Sequence, residues 1–345
     1  MQTRVSVQTS ARLHLGFFDL NGDLGRRFGS FGLAIDKPVT ALAISHAQKL
    51  TVEGPDADRA AAHIETLSRH LGVPAAYAVR IDQVIPAHAG LGSGTQLAFA
   101  LAAGLRRLQG LPEDFAGDAL VLQRGQRSGI GAALFSRGGL VVDGGHGQGT
   151  ILPPVLCHLP FPDDWRVILV IDSAFEGVHG ADERAAFAAL PKFSANAAAD
   201  ICHRMLMQAL PALVERDLPQ FGVAVSHIQA ILGDYFAPAQ GGARYSSRAV
   251  GAAVDRLADH GAQGIGQSSW GPTGFAFAAS DDEAQRLVRL VREERRTQAA
   301  NGGADPVLVV CKAINHGAKI NLTSPATNFQ NAPDHSDAKN LQGIK

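Results

Sequence analysis

Four stretches of this 345-residue chain gather Gly, hydroxyl and Arg residues at spacings suited to holding an anion. The first, VIPAHAGLGSGTQLAFALAAGL, runs from Val84 to Leu105 and places Gly90, Gly92, Ser93, Gly94 and Thr95 between a strand and a helix predicted from Gln96. Gly permits the left-handed backbone and close approach of a ligand. The helix start adds unpaired N–H groups and the positive end of a dipole. No Lys follows, so this is not a Walker A loop, and no acidic residue ends a second strand where a dinucleotide site needs one. A tight turn that binds nothing remains the competing reading.

The second stretch is GQSSWGPTGFAF, Gly266 to Phe277. Ser268, Ser269, Gly271 and Thr273 again suit an anion, while Trp270 is either a flat face for an aromatic ligand or a core plug. The third is ARLHLGFFDLNGDLGRRFG. Arg12, Arg26 and Arg27 are guanidinium forks matched to phosphate or carboxylate, His14 has the chemistry of proton movement, and Asp19 that of metal ligation. In the fourth, QRGQRSGIGAALFSRGGLVVDGG, Arg124 and Arg127 flank a turn and Asp143 ends a strand. Asp19 and Asp143 are the metal candidates. LVVDGG shares an apolar strand and an acid with ordinary phosphoribosyltransferases but lacks their second acid and Thr-Gly.

The elements that must position these residues form an α+β pattern. Strands are expected over 3–9 and 39–53, with an intervening block too rich in Gly and charge for a plain strand pair. A helix is predicted from Asp56 to Leu71, another near 118–126, and amphipathic helices near 194–214, 217–232, 246–260 and 281–296. The Pro-rich segment from Leu152 to Trp165 marks a domain junction. The expected units are 1–155, a phosphate-binding domain, and 156–322, with 323–345 a polar, disordered tail.

Composition narrows the function. A net charge of -1 gives no reason to expect a nucleic-acid or membrane partner, so anion recognition must be local. Three scattered Cys residues fit buried free thiols in a reducing cytoplasm rather than a disulfide framework or zinc site. The opening segment lacks the apolar core of a signal peptide.

Taken in order, these motifs resemble those of the GHMP kinase superfamily. PAHAGLGSGTQLA is similar to its phosphate loop, and GIGQSSWGPTGFAF to its C-terminal Gly-rich motif. A closer resemblance is to the beta-ribofuranosylaminobenzene 5'-phosphate synthases, carried also by ARLHLGFFDLNGDLGRRFGSFGLAID, RGQRSGIGAALFSRGGLVVDGG and NHGAKI. It runs from about Ser10 to Asn321. It implies a two-domain GHMP-kinase-like architecture with a ferredoxin-like C-terminal domain, and a homodimer. It also implies condensation of phosphoribosyl pyrophosphate with 4-aminobenzoate or 4-hydroxybenzoate, losing pyrophosphate and CO2, in tetrahydromethanopterin biosynthesis with Mg2+.

One position departs from the kinases. Where they tend to read Ser-Gly-Ile-Asp, this chain reads Ser128-Gly129-Ile130-Gly131. Without that carboxylate the site loses a group that directs phosphoryl transfer. The resemblance therefore implies that Gly90 to Thr95 and some of Arg12, Arg26, Arg27, Arg124 and Arg127, with Ser128, hold pyrophosphate as a leaving group, and that one Arg grips the benzoate carboxylate. Trp270 would stack on the ring, and His14, Asp19 and Arg26 would serve the chemistry. An ATP-dependent small-molecule kinase is the alternative, and a ligand-sensing protein without turnover the third reading.

Overall fold

The computed structural model describes residues 3–175, 180–298 and 306–323. Its first half contains β1 (Arg4–Asp19), β2 (Phe28–His46), β3 (Thr51–Glu53), α1 (Ala57–Leu71), β4 (Tyr77–Gln83) and α2 (Ser93–Gln109). Next come α3 (Phe115–Val121), α4 (Ile130–Arg137), β5 (Leu140–Asp143) and β6 (Val155–Leu159). The second half contains β7 (Arg166–Ile171), α5 (Gly180–Ala189), α6 (Ala195–Arg204), α7 (Leu210–Glu215), α8 (Leu218–Phe236) and α9 (Arg248–Asp259). It closes with β8 (Gln263–Gln267), β9 (Thr273–Ala278), α10 (Asp281–Gln298), β10 (Val307–Lys312) and β11 (Lys319–Thr323).

The N-terminal sheet runs β11-β1-β2-β4-β3, with β5 on the other half of β2 and β6 on β5. The C-terminal sheet runs β10-β7-β9-β8 with antiparallel neighbours, the strand order of a ferredoxin-like fold. The predicted fold class therefore holds.

Three expectations need correction. The block after residue 9 is a long strand pair after all: β1 and β2 stay in register from Arg4↔Ser45 to Asp19↔Phe28, with shifts between Ser10/Ala11 and His14/Gly16. Its composition misleads because Leu13 to Phe18 are buried on both faces, which erases the alternation of a half-exposed strand. The domain bounds also move. β6 pairs with β5, so the N-terminal sheet extends past residue 155, and β11 returns to pair with β1, taking Lys319–Thr323 out of the C-terminal unit. The expected tail lies outside the described residues beyond Thr323. Finally, Cys311 is buried and Cys157 partly so, but Cys202 is exposed.

Two layers of core hold the site. One lies between the N-terminal sheet and α1 and α2, through Ile64, Leu67, Leu97 and Leu101 against Val7, Ile44 and Val79. The larger joins the two halves: Leu13, Leu15 and Phe17 of β1 pack with Phe221, Val225 and Ile228 of α8 and Phe275 and Phe277 of β9. Burying each such side chain contributes about 1.5–3 kcal/mol, so β1 is fixed from both sides. The chemistry-bearing residues sit along this seam.

Candidate active site

The two Gly-rich loops meet backbone to backbone. A Cβ at Gly90 would lie 2.3 Å from the Ser268 carbonyl oxygen, and one at Gly271 would lie 2.3 Å from the Gly90 nitrogen. Ser268 locks the junction: its Oγ donates to the Gly90 carbonyl at 2.8 Å and accepts from the His14 N–H at 3.0 Å. Ser268 and Thr273 are fully buried; the Ser268 hydroxyl is spent on this junction, while Thr273 Oγ1 has no hydrogen-bond partner among the described residues. Gly92 takes φ +81 as N-cap of α2, which turns Ser93, Gly94 and Thr95 into the open first turn of that helix. Arg12 passes beneath it, its Cγ only 2.5 Å from where a Gly92 Cβ would sit.

Gly131, at the start of α4, faces the same floor. A Cβ there would meet Thr95 Cγ2 at 2.7 Å and lie 3.8 Å from Arg12 Nε. The position that departs from the kinase pattern is thus beside the phosphate loop and has no room for a longer side chain.

On the Gly90 side, a narrow cleft opens between β1 and α8, lined by His14, Phe17, Phe236, Ser269 and Trp270. The register shift next to His14 aims its ring into this space, as bulges beside sites commonly do. His14 is 2 % exposed, and its Nε2 has no hydrogen-bond partner among the described residues. Burial first, and then the Arg12 charge, holds its pKa well below the usual 6.5, so the imidazole is neutral. Trp270 Nε1 is likewise buried without a partner among the described residues. The expected aromatic platform is partly taken, however: Phe187 stacks on Trp270 at 4.7 Å, and Arg127 lies over the Phe187 ring at 4.6 Å. Arg127 therefore makes a cation–π contact, and one face of Trp270 is covered by Phe187.

The cleft wall is a ladder of amides that sequence reasoning did not single out. Gln229 Nε2 donates to the Leu15 carbonyl and its Oε1 accepts from the Gln267 N–H, while Gln267 Nε2 donates to Gln240 Oε1. Gln residues carry no local motif, so only the packing of α8 against β8 reveals them.

At the other end of the loop, Arg124 Nη1 lies 3.2 Å from where a Gly94 Cβ would be. Arg124 follows α3, which ends earlier than the sequence suggested, and its Nη2 is 3.3 Å from His63 Nε2 on α1. Arg59, one turn before His63, pairs with Asp56. Burial, followed by Arg124 and Arg59, lowers the His63 pKa to about 4. The only sequence signal for these two residues was their spacing of four on one helix.

The β1–β2 tip forms the outer rim. Asp19 Oδ1 accepts from Asn21 N at 2.7 Å and Gly22 N at 3.0 Å, so one of its oxygens caps a turn. Arg26 donates from Nε and Nη2 to the Gly144 and Gly145 carbonyls, both at 2.8 Å, and Arg27 lies 5.5 Å from the Phe28 ring. Asp143 is fully buried, and its oxygens accept from Ser30 Oγ, Ser128 Oγ, Gly129 N and Gly145 N. Four donors spend its lone pairs, so Asp143 bolts β5 to the α4 start and is no metal candidate; Ser128 is its partner. Among the described residues no group of three or more His, Cys, Asp or Glu is placed to hold a metal.

The model of the GHMP kinases N-terminal domain matches residues 58–139, and that of the GHMP kinases C terminus matches 209–295. A beta-ribofuranosylphenol 5'-phosphate synthase of Archaeoglobus fulgidus is 33% identical over 330 residues, covering 92% of this chain and 99% of the relative. One from Methanothermobacter thermautotrophicus is 28% identical, covering 85% and 94%. In fold, the chain is similar to homoserine kinase from Cytophaga hutchinsonii, with TM-score 0.64, 17% identity and coverage of 92% and 97%. Mevalonate diphosphate decarboxylase from Staphylococcus aureus gives 0.62, 14%, 93% and 98%. Among the described residues no helix is long and apolar enough to cross a membrane. GHMP-type matches in both halves, and a relative matched along nearly its whole length, together place the chain in the beta-ribofuranosylphenol 5'-phosphate synthase family.

Proposed function

We propose that the chain condenses phosphoribosyl pyrophosphate with 4-hydroxybenzoate or 4-aminobenzoate, releasing pyrophosphate and CO2. The family assignment supports a ribosyl-phosphate product. The observation that carries the mechanism is Gly131: beside Thr95 and Arg12, the place where a kinase carboxylate would direct an attacking alcohol is a Gly with no space for one. A site that binds polyphosphate without that group suits diphosphate departure better than phosphoryl transfer, and the kinase reading is the weaker.

The bond from ribose C1 to the pyrophosphate oxygen breaks, and its electron pair leaves with pyrophosphate. The N–H groups at the start of α2 and the nearby Arg12 stabilise that growing charge. C1 becomes cation-like, and the ring carbon bearing the carboxylate, para to the hydroxyl or amino group, supplies electrons for the new carbon–carbon bond. Cleavage of the carboxylate bond returns its pair to the ring as CO2 departs. The neutral His14 accepts a hydrogen bond, or the proton, from the 4-substituent during attack and returns it afterwards, so no net proton is consumed. The apolar walls from Phe17 and Phe236 keep water from capturing the sugar.

Mg2+ fits this site as an ion carried on substrate oxygens, because Asp143 is spent and Asp19 keeps only one oxygen outside its turn. It would supply Lewis-acid stabilisation of the leaving group, held by the diphosphate oxygens themselves. The same reading carries tetrahydromethanopterin biosynthesis, a cytoplasmic location and a homodimer.

Incubation with phosphoribosyl pyrophosphate, Mg2+ and each carboxyl-labelled acid tests the reaction. Labelled CO2 is expected from one or both acids. Release from neither, with ADP formed from ATP and an alcohol instead, would overturn it.

A further inference from the structure

We propose that Arg59, His63 and Arg124 form a phosphomonoester subsite at the Gly94 end of the loop, and that it takes the ribose 5-phosphate terminus of the activated sugar. The sugar's identity rests on the proposed reaction; the phosphate site itself does not. Arg59 and His63 are one turn apart on α1 and so share a face, and Arg124 meets that face through His63 at 3.3 Å.

Three features point to an anion. Arg59 Nε and Arg124 Nε are buried, and neither has a hydrogen-bond partner among the described residues. Buried N–H donors are normally satisfied, so two orphans on the guanidinium groups that both act on His63 call for an acceptor. Charge is also unbalanced: Asp56 pairs with Arg59, while among the described residues Arg124 has the His63 imidazole and no carboxylate beside it. Moreover, a guanidinium cannot accept, so His63 Nε2 must accept from Arg124 and the ring is held neutral. An incoming phosphate dianion would supply the missing acceptor, balance the guanidinium charge and let His63 protonate. Burial, followed by the Arg59 charge, also lowers the Arg124 pKa.

Position selects the monoester. The loop start abuts Ser268 and Gly271, next to the His14 cleft, while Gly94 abuts Arg124. A sugar carrying phosphate at both ends can therefore place its diphosphate on the loop and its other phosphate against α1. That second phosphate stays on the product, so a separate grip holds the sugar after pyrophosphate leaves.

Calorimetric titration of the full chain with ribose 5-phosphate, inorganic phosphate and Mg2+-diphosphate tests this. Arg59→Gln and Arg124→Gln should each weaken ribose 5-phosphate at least about tenfold, as loss of a charge-assisted bond does. Inorganic phosphate should weaken in parallel, and Mg2+-diphosphate by less than about threefold. No millimolar binding of ribose 5-phosphate to the natural chain, equal loss of all three probes, or no loss would overturn the proposal. Nitrogen NMR of histidine-labelled natural chain guards against misfolded variants: at near-neutral pH, ribose 5-phosphate should turn the His63 signal towards imidazolium, and an unmoved signal refutes it. If labelled CO2 never appears but these shifts do, the reaction reading fails and the subsite stands.

Discussion

Gly90 and Gly271 touch through their backbones, and neither site has room for a methyl group: a Gly271 Cβ would lie 2.3 Å from Gly90 N and 2.4 Å from Gly90 Cα. This contact welds the phosphate loop of one half to the C-terminal loop of the other. Gly271→Ala should force the loops apart, lowering stability by about 1–3 kcal/mol as overpacking does. Misplacing the loop should cut kcat/KM on the order of a hundredfold. Thermal unfolding and steady-state assays measure both, and near-normal values would show that the junction yields cheaply.

Gly131→Asp restores the kinase residue without restoring a kinase. Its side chain must displace Thr95, since even a Cβ sits 2.7 Å from Thr95 Cγ2. CO2 release should fall by on the order of a hundredfold, with no ADP formed from ATP and candidate alcohols. Vigorous ADP production would mean that Gly131 alone separates the two chemistries.

Asp143→Asn tests the correction of the metal assignment. The variant turns an acceptor of four donors into a mixed group, leaving at least one buried donor opposed, at a cost of about 1–3 kcal/mol. In the protein that remains folded, the Mg2+ concentration giving half-maximal activity should be unchanged. A large rise in that concentration, at preserved stability, would return Asp143 to the metal.

His14→Gln keeps a polar group in the cleft but cannot take a proton. The expected loss in kcat with the hydroxy acid is about a hundredfold, with KM little altered. Because the imidazole must be neutral and its pKa is lowered by burial and then by Arg12, the natural enzyme should keep its rate down to pH values below 6.5. A KM effect alone would make His14 a binding group.

The two buried imidazoles also bias stability with pH. Folding holds His63 at about 4 and His14 well below 6.5, whereas both titrate near 6.5 once unfolded. The unfolded chain binds more protons between those values, so stability rises with pH across about 4 to 6.5 and is lost on acidification. His63→Gln should flatten that slope in urea titrations run across the window. Identical slopes for variant and natural chain would show that His63 is not held neutral by the fold.

The sequence by itself determined the fold class, the Gly-rich turn into α2, the amphipathic helices and the family, because these rest on local requirements. A left-handed Gly92, an apolar stripe through Ile64 and Leu67, and Ser or Asp at helix starts act within a few residues. The fate of each polar group was decided only by tertiary structure. Asp143 looked like a ligand until Ser30, Ser128, Gly129 and Gly145 claimed it, and Ser268 looked like a ligand contact until Gly90 and His14 did. Conversely, Arg59 and His63 were silent on α1 until the turn after α3 brought Arg124 against them. Hydrogen bonds and charges are saturated by partners distant in the chain, and a linear string does not say which partners arrive.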